Sequence, residues 1–489
     1  MSNFVIAVGG SGAKLMQSLV HLGAAGLMPP TRNELLGQLV DPDENNGNVE
    51  ECKSLVGTYK ACKRMLELGN TDLFSAAINV DGPWTPLREG SVDTLKEIFQ
   101  YDRLQRANSV EADLLDLFFE NEELSMSIRQ GFRGRPAIGA TVLTEAVKFT
   151  DKPWSDIREQ INRRGNLGSV RVLLAGSVFG GSGASGVPTL VRLLKEELAD
   201  QMSHLDLGLI LFLPFFQFRP VPGEAIQADP ALFPMATAEA LKYYYDGFLR
   251  SYCHSIFCVG EEIPSDVAVS AVGASEQKNE PHFVELIAGM AATRFYNDQL
   301  PLQDERLLVA GRKADGTLDW EDLPYDRVAG KEMAKKIQTM VLFAVAYRYY
   351  FFPFITDALA KRKSDIPFWV DNIKTTNLEE AGRALRQLDD YVEYFLRWIM
   401  HVCTPRREGF TSGLVNPHIF AVKRDTTWDL KSLREFNLGD FNKLFLNLPA
   451  GTKIDSKGLL QRSAKPVTDP KANGVGRVVR ALYDACILS

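Results

Sequence analysis

Two short stretches hold the residue types from which a phosphate site is made. Gly9-Gly10-Ser11-Gly12-Ala13 follows the apolar run Phe4 to Val8, and Gly180-Gly181-Ser182-Gly183-Ala184-Ser185 follows the apolar run Val172 to Ala175. Each loop then enters a helical pattern, Leu15 to Leu22 in the first case and Val187 to Leu198 in the second. Such residues bind; they do not move protons. Glycine lets the backbone approach an anion closely, the first N–H groups of a helix point at it, and serine hydroxyls such as those of Ser182 and Ser185 add donors. Either loop alone reads equally well as a βα turn packed with small side chains. Together they predict a nucleotide held by its phosphates from two sides. Neither is a Walker loop, which ends in Gly-Lys-Ser/Thr. The first is not a clean Gly-x-Gly-x-x-Gly either, because Met16 stands where a small residue belongs.

The elements that must carry these loops follow from periodicity. Apolar runs predict strands at 3–8, 73–79, 170–176, 206–213 and 255–259. Helical spacing predicts helices at 13–26, 50–68, 92–100, 108–127, 140–148, 153–163, 187–201 and 231–250. This alternation predicts an α/β fold, a mainly parallel sheet with helices on both faces. The glycine loops then gather at the carboxyl ends of the strands, where such sheets bind ligands. Residues 38–49, polar and rich in Asn and Asp, read as an exposed loop.

Phe283, Leu286, Ile287, Met290, Ala291 and Phe295 mark a core helix beginning at Pro281. Beyond it lie loops with a short strand, Arg306 to Ala310, then helical stretches from Lys331 to Leu359 and from Leu378 to Val402. Residues 404–475 are mixed, with candidate strands Ile419 to Val422 and Lys443 to Leu448, and Gly476 to Leu488 closes as a helix. The expected division is a nucleotide domain over 1–280, a connecting helix over 281–298, and a helix-rich α+β second domain over 299–489.

Composition narrows the function classes. A chain of 489 residues, 45% hydrophobic and 24% charged, reads as a soluble globular protein of two or three domains. A net charge of −7 with scattered positive groups gives no reason to expect nucleic acid as a partner. The six cysteines form no Cys-x-x-Cys. Cys253, His254 and Cys258 are the nearest approach to a metal set, and they fall on a candidate strand, so reduced, buried thiols in the cytoplasm and no metal centre are expected. No signal peptide is visible. The most apolar segment, Met340 to Ile355, contains Arg348 and is shorter than the roughly 20 residues a spanning helix needs. It reads as a buried helix and not as a membrane span.

Five motifs then fall in a shared order. They are the loop at Gly9; Ala77-Ile78-Asn79-Val80-Asp81; Gly134-Arg135-Pro136-Ala137-Ile138-Gly139; Phe179 to Leu190 with its later Pro188; and Leu209 to Phe218 with Pro214-Phe215-Phe216-Gln217-Phe218. In this order they resemble the nucleotide loops of the tubulin/FtsZ superfamily over roughly residues 1–300. The second is similar to the Ala-Ile-Asn-Thr-Asp of FtsZ and the fourth to the tubulin signature Gly-Gly-Gly-Thr-Gly-Ser/Thr-Gly. The chain departs from that signature at Phe179, Ser182 and Ser185. Arg192 and Lys195 replace an acidic and a basic residue of the following FtsZ helix, so ribose recognition is expected to differ. The resemblance is to a divergent bacterial tubulin-like protein.

The resemblance implies GTP or GDP with Mg2+, self-association into head-to-tail filaments, and hydrolysis at the subunit junction. It places Gly9, Gly10, Ser11, Gly12 and Ala13, then Asn79 and Asp81, then Arg135 and Gly139, and then Gly180 to Ser185 around the nucleotide. Asn279 and His282 become candidates for the base. Asp319 and Asp322, spaced like the family's Asp-x-x-Asp, become the catalytic pair that one subunit lends to the next; His282 with Glu285 is the alternative. Arg133 and Arg135 are placed to meet a γ-phosphate or to form surface ion pairs. Two other readings stay open. One is a non-polymerising nucleotide-bound scaffold or sensor with a partner protein. The other is a Rossmann-type oxidoreductase, against which stands the lack of an acidic residue ending an obvious second strand about 20 residues after the first loop.

Overall fold

A computed structural model describes residues 2–29, 33–87, 93–165, 170–218, 228–261, 264–266, 275, 278–297, 306–310, 317–318, 327–361, 378–403, 411–412, 415–416, 441–445 and 453–488. Six strands form the central sheet: β1 (Ser2–Val8), β2 (Glu34–Val40), β3 (Ala77–Trp84), β4 (Val170–Ser177), β5 (Leu205–Phe212) and β6 (Ser255–Val259). They lie in the order β3-β2-β1-β4-β5-β6, and β7 (Arg306–Ala310) extends the β6 edge. Every pairing is parallel. The chain winds away from β1 to β2 and β3, then returns to the other side of β1 as β4. The order of strand addition thus reverses between β1 and β4, the place where ligands of doubly wound sheets bind. Phe4 to Val8, Val170 to Ala175 and Leu205 to Phe212 are buried throughout. Helices cover both sides of these strands, which is why their sequences are mostly apolar without alternation, the buried Arg171 and Asp206 pairing with each other at 3.3 Å.

Helices α1 (Gly9–Ala24) and α2 (Gly47–Met65) follow β1 and β2. Helices α3 (Pro136–Ala146) and α4 (Trp154–Gly165) precede β4. Next come α5 (Ser182–Glu197), α6 (Phe233–Asp246) and the core helix α7 (Phe283–Asn297). The strongly periodic elements therefore lie close to their expected bounds. Others differ. The sequence predicted no strand at 34–40, because Glu34, Gly37 and Gln38 interrupt the apolar run. That strand exists, and residues 38–49 are not an exposed loop: they close β2 and open α2, mostly buried. A Cβ on Gly37 would lie 2.5 Å from Met16 Cε. The large Met16 of α1 thus takes the room that Gly37 leaves, with large and small exchanged between helix and strand. The helices expected over 92–100 and 108–127 break into Leu95–Ile98, Tyr101–Arg106, Val110–Phe118 and Asn121–Leu124, which pack a satellite cluster around Leu95, Leu115, Leu124 and Phe132. Phe441–Leu444 is a helical turn and not the start of a strand, and Ile419 to Val422 lie outside the described residues.

The second half contributes α8 (Arg327–Ala346), a π-helical turn at Tyr347–Phe351, α9 (Phe352–Lys361), α10 (Leu378–Cys403), α11 (Ser456–Ser463) and α12 (Gly474–Ala485). These helices share one hydrophobic core with the sheet. Helix α10 lies against α1 and α2: the His21 ring stacks on Trp398 at 4.9 Å and His21 Nδ1 meets the Tyr391 hydroxyl at 3.1 Å. Burial lowers the His21 pKa to about 3, so the ring packs as a neutral aromatic. Among the described residues, the strand pairing of this half beyond β7 is Thr317–Leu318 with Thr411–Ser412. The run Gly330–Asp357 is long and apolar enough to cross a membrane by length and composition. Met340 to Ala346 within it are each fully buried in the core.

Candidate functional site

Strand register sets the site. Val8 pairs with Val40 and Ala7 with Ala175. Gly9 then leaves the sheet, and the Ser182–Gly183 turn meets it from the β4 side. Helix α1 starts at Gly9 and α5 at Ser182, and neither first turn carries a side-chain cap. Their leading N–H groups therefore face the same crevice, and both helix dipoles place partial positive charge there.

The loops touch. Gly9 has φ +71°, and a Cβ on it would stand 3.2 Å from Ser182 Cβ. A Cβ on Gly12 would enter β1, 2.6 Å from the Ala7 carbonyl carbon and 3.0 Å from the Ala175 oxygen. Gly183 stands as close to β4, 2.5 Å from Ser177 N by the same measure. The third loop joins them, since a Cβ on Gly181 would lie 3.1 Å from Gly134 N. Gly10, Ser11, Gly180, Gly181, Ser182 and Ala184 stay partly accessible, whereas Gly12, Ala13, Gly183 and Ser185 are buried beneath them. The Ser185 hydroxyl is turned inward and donates to the Gly181 carbonyl at 2.8 Å. Gly139 serves helix packing: a Cβ there would meet Ser185 Oγ at 2.2 Å. Arg135, at the start of α3, holds Glu123 at 2.9 Å.

Phe179, where the tubulin signature has glycine, is 5% exposed. Its ring lies 5.6 Å from Phe216 and 4.7 Å from Phe233. The departure from the signature thus fills an apolar cluster behind the loop. His282 borders that cluster, 5.1 Å from Phe215. Its Nδ1 accepts from the Val284 N–H at 3.3 Å, which leaves the ring proton on Nε2, facing Ser265 Oγ at 3.2 Å and Glu261 at 3.3 Å. His282 is 3% exposed, so its contacts are internal.

The other side of the first loop is polar, and sequence reasoning missed it. Asn46 caps α2, its Oδ1 accepting from the Asn48 N–H at 3.0 Å. Asn48 Oδ1 in turn accepts from the Asn279 N–H at 3.0 Å, and a Cβ on Gly10 would lie 3.0 Å from Asn48 Nδ2. Lys14 Nζ donates to the Asn279 carbonyl and lies 4.0 Å from Glu285 Oε1, with both side chains buried. Asn279 therefore joins the start of α7 to α1 and α2 through its backbone. Next to it, Glu280 binds Arg397 at 2.8 Å and His401 at 3.2 Å. Asp41 is 2% exposed, and its Oδ1 accepts from the Asp43 N–H at 3.0 Å. Burial pushes its carboxyl up to about 7; the Asp43 N–H opposes that rise and the Asp43 charge adds to it. The signal was present in Asp41-Pro42-Asp43-Glu44-Asn45-Asn46, read as loop chemistry because β2 was not recognised.

No protein-family model matches the chain, and no curated protein matches it in sequence. The structure brings together Gly9 to Ala13, Gly180 to Ser185, the third loop and Asn279. It does not bring Asn79 and Asp81 to them: both are exposed on β3, the edge strand, with β2 between them and β1. The Ala-Ile-Asn-Val-Asp motif thus sits on the edge strand, away from the glycine loops that the resemblance places it beside. Asp319 and Asp322 lie outside the described residues. Among the described residues no His, Cys, Asp and Glu grouping could hold a metal ion, and all six cysteines are buried and unbridged. A recess of about 630 Å3 lined by Met65, Arg383, Arg386 and Asp389 lies elsewhere, at the far end of α2.

Proposed function

We propose that this chain binds the phosphates of a nucleoside triphosphate in the crevice between β1 and β4, and that the nucleotide is GTP with Mg2+. The observation that carries the reading is the meeting of Gly9 with Ser182: two uncapped helix starts, from adjacent strands, face one crevice. One helix start suffices for a phosphate, and two with a third loop alongside suit a longer polyanion. The backbone N–H groups of Gly10 to Gly12 and of Ser182 to Ala184 are the donors, with the Ser11 and Ser182 hydroxyls. Asn46 and Asn48 flank the same loop and suit the sugar or base. Guanine, head-to-tail filaments and hydrolysis at a junction rest on the ordered motif resemblance. Nucleotide released from purified protein by denaturation and identified by chromatography tests the reading. GDP or GTP is the expected result; protein that retains and binds no purine nucleotide would overturn it.

A second reading has one observation in its favour. Asp41 ends the second strand of a 3-2-1-4-5-6 sheet, the position from which a carboxylate holds the adenosine ribose of a dinucleotide. The earlier objection to an oxidoreductase, that no such acid exists, therefore falls. Against it, burial favours a protonated Asp41, and a dinucleotide leaves the second glycine loop without a task. Release of NAD or a flavin in the same chromatography would replace the first reading with this one.

A further inference from the structure

The helix Val110–Phe118 turns Leu115 into the satellite cluster, buries Ala112, and turns Val110, Leu114, Leu117 and Phe118 outward, at 68, 46, 74 and 67% exposure. These four share an apolar stripe at helical spacing that nothing in the chain covers among the described residues. Acids surround it. Glu111, Asp113, Asp116, Glu120, Glu122 and Glu123 fall between Ala107 and Ile128, where no basic residue occurs. The stripe sits at the nucleotide end of the sheet: Glu123 holds Arg135, and the adjoining Gly134 packs on Gly181.

The other end of the molecule has the opposite character. Residues 453–488 carry seven basic side chains against three acidic ones. They pack on the turn after α2, at the amino ends of the strands: Leu68 bridges to Ala472, and Arg480 donates to the Leu68 carbonyl at 3.1 Å. Lys453, Lys457, Arg462, Lys465 and Lys471 are exposed there.

We propose that the Val110–Phe118 stripe and its acids dock the basic 453–488 end of a second copy of this chain. The contact joins opposite ends of two molecules, so it does not close on itself and propagates. Four apolar side chains fall short of the roughly 800 Å2 per partner of a stable interface, so the flanking charges must contribute and assembly must weaken with salt. The inference deepens the filament part of the proposed function by naming the surfaces that meet.

Sedimentation of the full chain with GTP, at low and high salt, tests it. Wild type pellets, and less so at high salt. Leu117→Asp with Phe118→Asp, two exposed positions, abolishes pelleting. Glu111→Lys with Glu122→Lys raises the critical concentration about tenfold, as does Lys457→Glu with Lys465→Glu, and combining the two reversals restores assembly. A wild type that stays monomeric, pelleting unchanged by Leu117→Asp with Phe118→Asp, or a combination no better than either reversal would overturn the proposal. Nucleotide content is measured on the same samples. Assembly through this contact by protein without nucleotide would sink the phosphate site alone; nucleotide-loaded protein that never assembles would sink the interface alone.

Discussion

The two glycine loops look alike in sequence and are held in place by different physics. The first is tied on one side to a polar network of Asn46, Asn48, Lys14, Asn279 and Glu285 that reaches the start of the core helix. The second is tied to an apolar wall, with Phe179 among phenylalanines and Gly139 against Ser185. What they share is the close approach of Gly12 and Gly183 to backbone. The contrast teaches that similar loops can be held by unlike ties: polar links can exchange partners, whereas packed rings resist any shift.

The largest effects separate the two kinds of tie. Lys14→Met removes the buried cation that holds the Asn279 carbonyl and stands 4.0 Å from Glu285, and is expected to cost about 3–5 kcal/mol in urea unfolding. Adding Glu285→Leu should return part of that loss, because it removes the carboxylate left beside the missing cation while the Asn279 carbonyl still lacks its donor. Phe179→Ala is expected to cost a similar amount, about 3–5 kcal/mol, through the cavity it leaves, and no change at the first loop should rescue it. If Glu285→Leu fails to rescue Lys14→Met, the polar character assigned to the first loop is mistaken.

Smaller changes sharpen the contrast. Gly12→Ala and Gly183→Ala each push a Cβ into strand backbone and should cost about 1–3 kcal/mol alike, the shared property of the loops. Asp41 gives the first loop a pH dependence that the second lacks. Its folded pKa of about 7 stands above the unfolded value of 3.8. Between those values the folded state holds a proton that the unfolded chain has released, so stability falls as pH rises from about 4 to about 7. Asp41→Asn should remove that slope, which reaches at most about 1.4 kcal/mol per pH unit. Arg135→Ala removes a half-exposed ion pair and should change stability by less than about 1 kcal/mol. A greater loss there would mean that the third loop, and not Phe179, stiffens the second.

The same contrast explains what the sequence disclosed. The strands β1, β4, β5 and β6 and the core helix were legible because both their faces are buried, so their sequences stay mostly apolar; Arg171 and Asp206, the charged exceptions of β4 and β5, pair with each other at 3.3 Å. β2 was not, because Gly37 makes room for Met16 from another element and that exchange is invisible along the chain. With β2 hidden, the polar residues at its end, Asp41 to Asn48, read as a surface loop. The glycine loops announced themselves by composition; their partners were set by register between distant strands. The helix-rich second half showed its helices but not its destination, since amphipathic spacing says that a face is covered and not by what.

That destination has a consequence for how the chain is made. Ser18 on α1 accepts from the Trp398 indole N–H, a contact spanning 380 residues of sequence. At about 5–20 residues per second, synthesis leaves the α1 side of the sheet without that cover for about 20–75 s. The nascent protein thus displays the side chains around His21 to the cell long before α10 emerges. It is a natural client for chaperones that hold open apolar faces, and a fragment ending after the core helix should precipitate.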